Sequence, residues 1–164
     1  MRILGIDPGL HITGYGILEK SDDDIKIVEA GVIRTKQNDS LEKRLLDISR
    51  ELETIIAQFQ PDAVAVEELY SHYGHPRTAI IMGHARGVIF LKAAEANLKV
   101  YPYPSTKVKN SLTGNGRASK NQMQQMIRST LKIPYLPEPP DVADALAVAL
   151  CHIHTQQHKY MVEI

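Results

Sequence analysis

Two short apolar runs in this chain finish on an acid: ILGID ends on Asp7 and AVAVE ends on Glu67. Runs of this kind, bounded by Pro-Gly and other turn residues, read as buried strands. A carboxylate buried without a partner costs several kcal/mol or takes up a proton. Two such strands must therefore end where something neutralises their acids. Laid side by side and parallel, they bring both carboxylates to one edge of a sheet, where open α/β folds hold their ligands. Alternation sends Glu67 and Glu68 to opposite faces, and periodicity alone does not say which of them joins Asp7.

The surrounding pattern predicts the rest of the sheet. Residues 2–7 form a first strand, 14–20 (GYGILEK) a second and 25–35 (IKIVEAGVIRT) a third, joined as a hairpin or meander. A helix follows over 40–59, with Leu45, Ile48, Leu52, Ile55 or Ile56 and Phe59 on one stripe, Asp39 as N-cap and Glu42 three residues on. DAVAVEELY is a buried strand, residues 76–97 a second long helix and KVYPY a fifth short strand. Residues 105–132 are helical at both ends around the loop TGNGRAS, PYLPEPP breaks the chain, and 141–157 make a last helix. The order β-β-β-α-β-α-β-α-α predicts an α/β fold with a five-stranded mixed sheet flanked by helices. Three strands are antiparallel and two parallel. With 164 residues and no repeat or linker, the expectation is one domain over 1–164 with a short tail from about 156.

The last helix opens PPDVADALAVA, which sets Asp141 and Asp144 three apart on one face of its first turn. Aspartates there commonly cap backbone N–H groups. Counted with the strand-end acids, they suggest four carboxylates meeting without charged partners. Divalent cations resolve that repulsion, and an all-oxygen donor set suits Mg²⁺ or Mn²⁺. Two such ions about 4 Å apart activate water and grip a scissile phosphate.

The formal net charge is zero, yet residues 69–132 carry ten Lys or Arg and a single acid, Glu95. Such a stretch points to a polyanion, and nucleic acid rewards clustered cations through counterion release. No run of about 18 apolar residues is present, which argues against a membrane span. The N-terminus lacks the pattern of a secretory signal, so a cytoplasmic location is expected. Cys151, the only cysteine, lies in an apolar run and reads as a buried, inert thiol.

GIDPG, TGYG, AVEELY, HARGV, TKVKNSLTGNGRASK and DVADALAVA, in this order, resemble the RuvC family of Holliday-junction resolvases from about residue 1 to 155. The resemblance implies an RNase H-like fold and a homodimer that makes paired, symmetric nicks at four-way DNA junctions in recombination and repair. It implies dependence on Mg²⁺ or Mn²⁺ and cooperation with the RuvA–RuvB branch-migration complex. The family's acidic ligands fall on Asp7, Glu67, Asp141 and Asp144, which selects Glu67 over Glu68. Some relatives carry histidine at the position of Asp141. Family lysines that contact DNA correspond to Lys109 and Lys120, and its junction-centre aromatic residue corresponds to Tyr70. Where many relatives carry an FxxKN-like stretch, this chain has YSHYGHPRTAI, one residue longer, and Tyr73 is a second stacking candidate. Lys107 and Arg117 flank the same glycine loop and are further candidates for DNA phosphate contact.

Gly83 and Gly87 in GHARG suit a close helix contact, either across a dimer or onto the chain's own sheet. His72, His75, His152, His154 and His158 include spacings found in zinc sites but offer no evident third ligand. Competing functions are a junction-binding protein without catalysis, and an RNase H-like nuclease for RNA–DNA hybrids or flaps. GIDPG alone also resembles the phosphate loop of sugar-kinase and actin-like ATPases, whose second half has no counterpart in one core of this size.

Overall fold

Arg2–Asp7 (β1), Ile12–Lys20 (β2) and Ile25–Arg34 (β3) pair as an antiparallel meander. The computed structural model describes every residue except 23, 70–75 and 163–164, and no side chain at 76 or 158–162. Ala63–Glu67 (β4) joins β1 in parallel, and Lys99–Tyr103 (β5) joins β4 in parallel. The order β3-β2-β1-β4-β5 makes β1 the central strand, so Asp7 stands at the end of the sheet's middle.

Strand alternation divides the core in two. Leu4, Ile6, Ile17, Val64 and Val66 face Leu41–Phe59 (α1) and Pro76–Glu95 (α2). Ile3, Leu18, Ala63 and Ala65 face Ser105–Thr113 (α3), Lys120–Thr130 (α4) and Pro140–Val162 (α5). Ile48, Leu52 and Ile55 form the buried stripe of α1, as its periodicity predicts.

The seat of α5 decides where its acids go. A Cβ added at Gly14 would lie 2.1 Å from the Asp141 carbonyl oxygen, and one at Gly5 would lie 2.1 Å from that of Ala145. Leu146 drops into the space above Gly16, where an added Cβ would meet its Cδ2 at 2.6 Å. Farther along, the His152 ring lies 4.4 Å from that of Tyr101 on β5. The helix thus crosses the sheet diagonally, from β2 over β1 to β5, on a floor of glycines that admits its backbone.

Local boundaries differ from the sequence reading in ways that have physical causes. Ser40 rather than Asp39 is the N-cap of α1, because the Asp39 carboxylate is turned to Lys43 at 3.1 Å. β2 begins two residues earlier than GYGILEK, paired from Ile12 to Arg34. β4 ends at Glu67, although the Glu68 N–H still donates to the Tyr103 carbonyl at 2.9 Å. α5 continues to Val162, past the end of its apolar pattern. Among the described residues no helix is long and apolar enough to cross a membrane.

Candidate active site

Parallel pairing of Ile6 with Val66 places the next residues, Asp7 and Glu67, side by side at one sheet edge. The Gly14 seat brings the first turn of α5, with Asp141 and Asp144, to that same edge. Burial, then the charges of Glu67, Asp144 and Asp141, push the Asp7 carboxyl up to about 8, with Lys120 opposing. Burial also raises Glu67; the Ser105 hydroxyl and Lys109 hold it back, while Asp144 adds to the rise. Asp144 is raised by burial and by Asp141, against Lys120, whose Nζ stands 3.7 Å from its carboxylate.

Two clefts open here. One of about 380 Å³ is lined by Asp7, Pro8, Glu67, Glu68, Leu69, Met82, Ser105 and Asp144. The other, about 230 Å³, shares Glu67, Ser105 and Asp144 and adds Lys109 and Lys120. Asp141 lines neither; it sits to one side, over Gly14. Among the described residues no three Asp, Glu, His or Cys side chains are gathered tightly enough to hold one ion between them. The acids act on one another by charge without converging on a point. Sheet pairing and the α5 seat fix their backbones, so any closer approach of the carboxylates comes from side-chain torsion alone. An all-oxygen set whose central member prefers a proton for lack of positive charge fits a hard divalent ion.

The basic stretch divides on folding. Lys109 and Lys120 face the acids, and Lys107 lies over the Tyr103 ring, 5.1 Å from its centroid. Arg117 is exposed on the loop between α3 and α4, where its N–H donates to Asn115 Oδ1 at 2.9 Å. A capping box starts α4: Ser119 Oγ accepts from the Gln122 N–H, and Gln122 Oε1 accepts from the Ser119 N–H. That box fixes Lys120 at the first helical position beside Asp144. Lys92 and Lys132 turn elsewhere, Lys92 to Glu53 and Glu95, Lys132 to Asp24. Tyr70, Tyr73, His72 and His75 lie outside the described residues.

The remaining motifs separate clearly. Nothing lies within 4 Å of a Cβ added at Gly83 or Gly87, and both are exposed. Packing of Gly83 and Gly87 on the chain's own sheet is therefore excluded; Ala85, between them, fills that role with Ile89 and Ala93. His152 is buried against Tyr103, and the His154 ring sits 3.2 Å from the Ser111 carbonyl. The His158 side chain lies outside the description. Cys151 is buried and unpaired, and burial raises its thiol pKa, in keeping with an inert role.

Ser105 and Met82 escaped the sequence reading. The GxG spacing that could have flagged the α5 seat was visible in TGYG, where Gly14 and Gly16 fall on one face of a strand.

Half-buried acids at the end of the central strand and its parallel neighbour, with acids from a crossing helix nearby and lysines at the rim, make this edge the candidate active site of an RNase H-like fold. The family model for crossover junction endodeoxyribonuclease RuvC matches residues 3–152. A protein of that name from Alkaliphilus oremlandii is 46% identical over 164 residues, covering 100% of this chain and 99% of the relative. One from Rhodopirellula baltica is 49% identical over 91% of this chain and 84% of its own. The solved structure of Thermus thermophilus RuvC in complex with a Holliday junction substrate superposes with a TM-score of 0.92 at 32% identity, covering 97% of this chain and 96% of that one. The chain belongs to the RuvC family of crossover junction endodeoxyribonucleases.

Proposed function

We propose that this chain, folded as one domain, resolves four-way DNA junctions by paired, symmetric nicks, using Asp7, Glu67, Asp141 and Asp144 to hold divalent ions. Family membership makes it a divalent-metal-dependent endonuclease of recombination and repair. Mg²⁺ is the proposed ion, Mn²⁺ an able substitute, and two ions per site the proposed count. The observation that carries the site is the placement of Asp7, Glu67 and Asp144 around one cleft at the sheet edge, where burial and the neighbouring acids push the Asp7 carboxyl up.

Bound there, the ions supply an activated water and stabilise the leaving oxygen of the scissile phosphate. The chain's residues do the rest. Asp7 and Glu67, fixed by strand pairing, set the floor of the site; Asp144 and Asp141 close it from α5. Ser105 donates toward Glu67 and restrains its carboxylate. Lys109 and Lys120 flank the acids, where they draw the phosphate backbone in without reading its sequence. Tyr70 remains the proposed junction-centre contact, with Lys107 and Arg117 on the outer phosphate path. Lys120→Ala removes one such contact and unmasks Asp144. Junction affinity is expected to fall about tenfold at low salt, with the slope of log affinity against log salt reduced by about 1 in a filter-binding series.

A symmetric pair of nicks calls for a twofold assembly. The exposed side of α2 carries Ile80 at 62% and Leu91 at 57% exposure, with open space beside Gly83 and Gly87 between them. This stripe is the proposed homodimer face. Ile80→Glu combined with Leu91→Glu is expected to sediment as a monomer and to nick without making paired cuts. RuvA–RuvB remains a proposed partner by family resemblance, and the cytoplasm the proposed location.

The test is to map cuts on a synthetic mobile four-way junction with and without Mg²⁺, beside flap and RNA–DNA hybrid substrates. Metal-dependent nicks at symmetric positions in the junction are expected. Preference for hybrid or flap would replace the substrate assignment, and junction binding without nicks at any divalent concentration would leave only a binding protein.

A further inference from the structure

Lys120 answers to the acids rather than to its own helix. Its Nζ lies 3.7 Å from the Asp144 carboxylate, and both residues line the smaller cleft together with Glu67, Ser105 and Lys109. Among the described residues no other lysine or arginine pairs with any of the four acids. Burial raises the Asp144 carboxyl, and Lys120 is the charge that most opposes the rise; it opposes the rise on Asp7 as well.

Local helix chemistry gives no reason for a lysine at this position. Lys120 is the first residue of α4, where a cation opposes the helix dipole, and the first turn holds no acid to pair with it. The Ser119–Gln122 capping box offsets that cost and fixes the lysine backbone beside Asp144. The side chains of Lys120 and Asp144 are 61% and 43% exposed, so the pair is open to water and the ammonium can swing on its flexible stem. A divalent ion taken up by Asp144 meets a like charge already seated at that carboxylate, and the two repel. Ion and ammonium therefore compete for one side chain. Once displaced, the ammonium stays tethered at the rim of the cleft, within reach of the phosphates of bound DNA.

We propose that Lys120 is a tethered counter-ion, which holds Asp144 while the site is without metal, gives way to a divalent ion and then grips the phosphate backbone. The inference rests on the four-acid reading of the site and deepens it. Lys120 thereby couples two binding events. Loading the ion frees the ammonium for DNA, and DNA that draws the ammonium away opens Asp144 to the ion, each favouring the other by the same factor.

The test is Mn²⁺ binding by the full chain at low salt, followed by electron paramagnetic resonance without DNA, for wild type, Lys120→Gln and Lys120→Arg. Lys120→Gln removes the charge and keeps a polar side chain; it is expected to bind Mn²⁺ three- to tenfold more tightly than wild type. Lys120→Arg keeps the charge and is expected to bind within twofold of wild type. Unchanged or weaker binding by Lys120→Gln overturns the proposal. So does an equal gain in both variants, because the competitor would then not be the charge. Nicking should move the other way: at saturating Mn²⁺ and limiting junction, Lys120→Gln is expected to be slower than wild type despite its tighter ion. A wild-type rate there overturns the hand-over to phosphate. Wild-type protein that binds no Mn²⁺ would instead remove the four-acid reading on which this rests.

Discussion

Asp7→Asn is expected to abolish nicking, by at least about 1,000-fold, and at the same time to make the metal-free protein more stable at pH 8. The first effect follows from removing the central anionic ligand of the proposed metal site. The second follows from the carboxyl pKa of about 8, raised by burial and by Glu67, Asp144 and Asp141. Well below the ordinary value of 3.8, Asp7 carries its proton in folded and unfolded chains alike. Between pH 4 and 8 the unfolded chain ionises first, so the native state loses stability as pH rises through this window. Each unit is worth up to about 1.4 kcal/mol; water and side-chain movement at the cleft mouth reduce the total to roughly 2–4 kcal/mol. Asn carries no charge and escapes the loss. Its melting temperature in EDTA should exceed that of wild type by about 5–10 °C at pH 8 and match it near pH 4. Equal melting curves at pH 8 would mean that the acids do not crowd Asp7.

Gly14→Ala is expected to cost at least about 100-fold in nicking although residue 14 contributes no side chain to the site. The added Cβ would lie 2.1 Å from the Asp141 carbonyl oxygen and 2.5 Å from its carbon. Both are backbone atoms, so the clash is relieved only by lifting the first turn of α5 by an ångström or more. Stability should fall by about 1–3 kcal/mol, as for other overpacked cores. Gly16→Ala is the comparison: its Cβ meets side-chain atoms of buried Leu146, at 2.6 Å from Cδ2 and 2.9 Å from Cγ, and no α5 backbone atom closer than 3.5 Å. Nicking by Gly14→Ala at the rate of Gly16→Ala would falsify the claim that this seat places Asp141 and Asp144.

Much of this was legible in the chain itself. The strand-end acids are visible because an apolar run that stops on a carboxylate conflicts with burial, and the meander because turn residues separate its runs. The Asp141–Asp144 pair is visible only in combination, since one turn of acids at a helix start has an ordinary capping explanation. What stayed hidden depended on contacts distant in sequence. Ser105 resembles any helix-start serine until β5 brings it beside Glu67. Gly83 and Gly87 suit either a dimer or a sheet contact, and only the open space beside them removes the second. The lysine-rich stretch promises one basic face, yet Lys92 and Lys132 spend their charge on Glu53, Glu95 and Asp24.

The outermost parallel strand has a consequence for how copies of the molecule meet. The Tyr103 carbonyl is turned inward to Glu68, so the backbone of its neighbour at 102 points away from the sheet. That neighbour is Pro102, which has no N–H to offer. A foreign strand approaching this margin finds a five-residue ledge with a donor missing at its fourth residue, a poor template for fibrous growth. Crowded solutions of the protein are thereby steered away from zipping up at this margin.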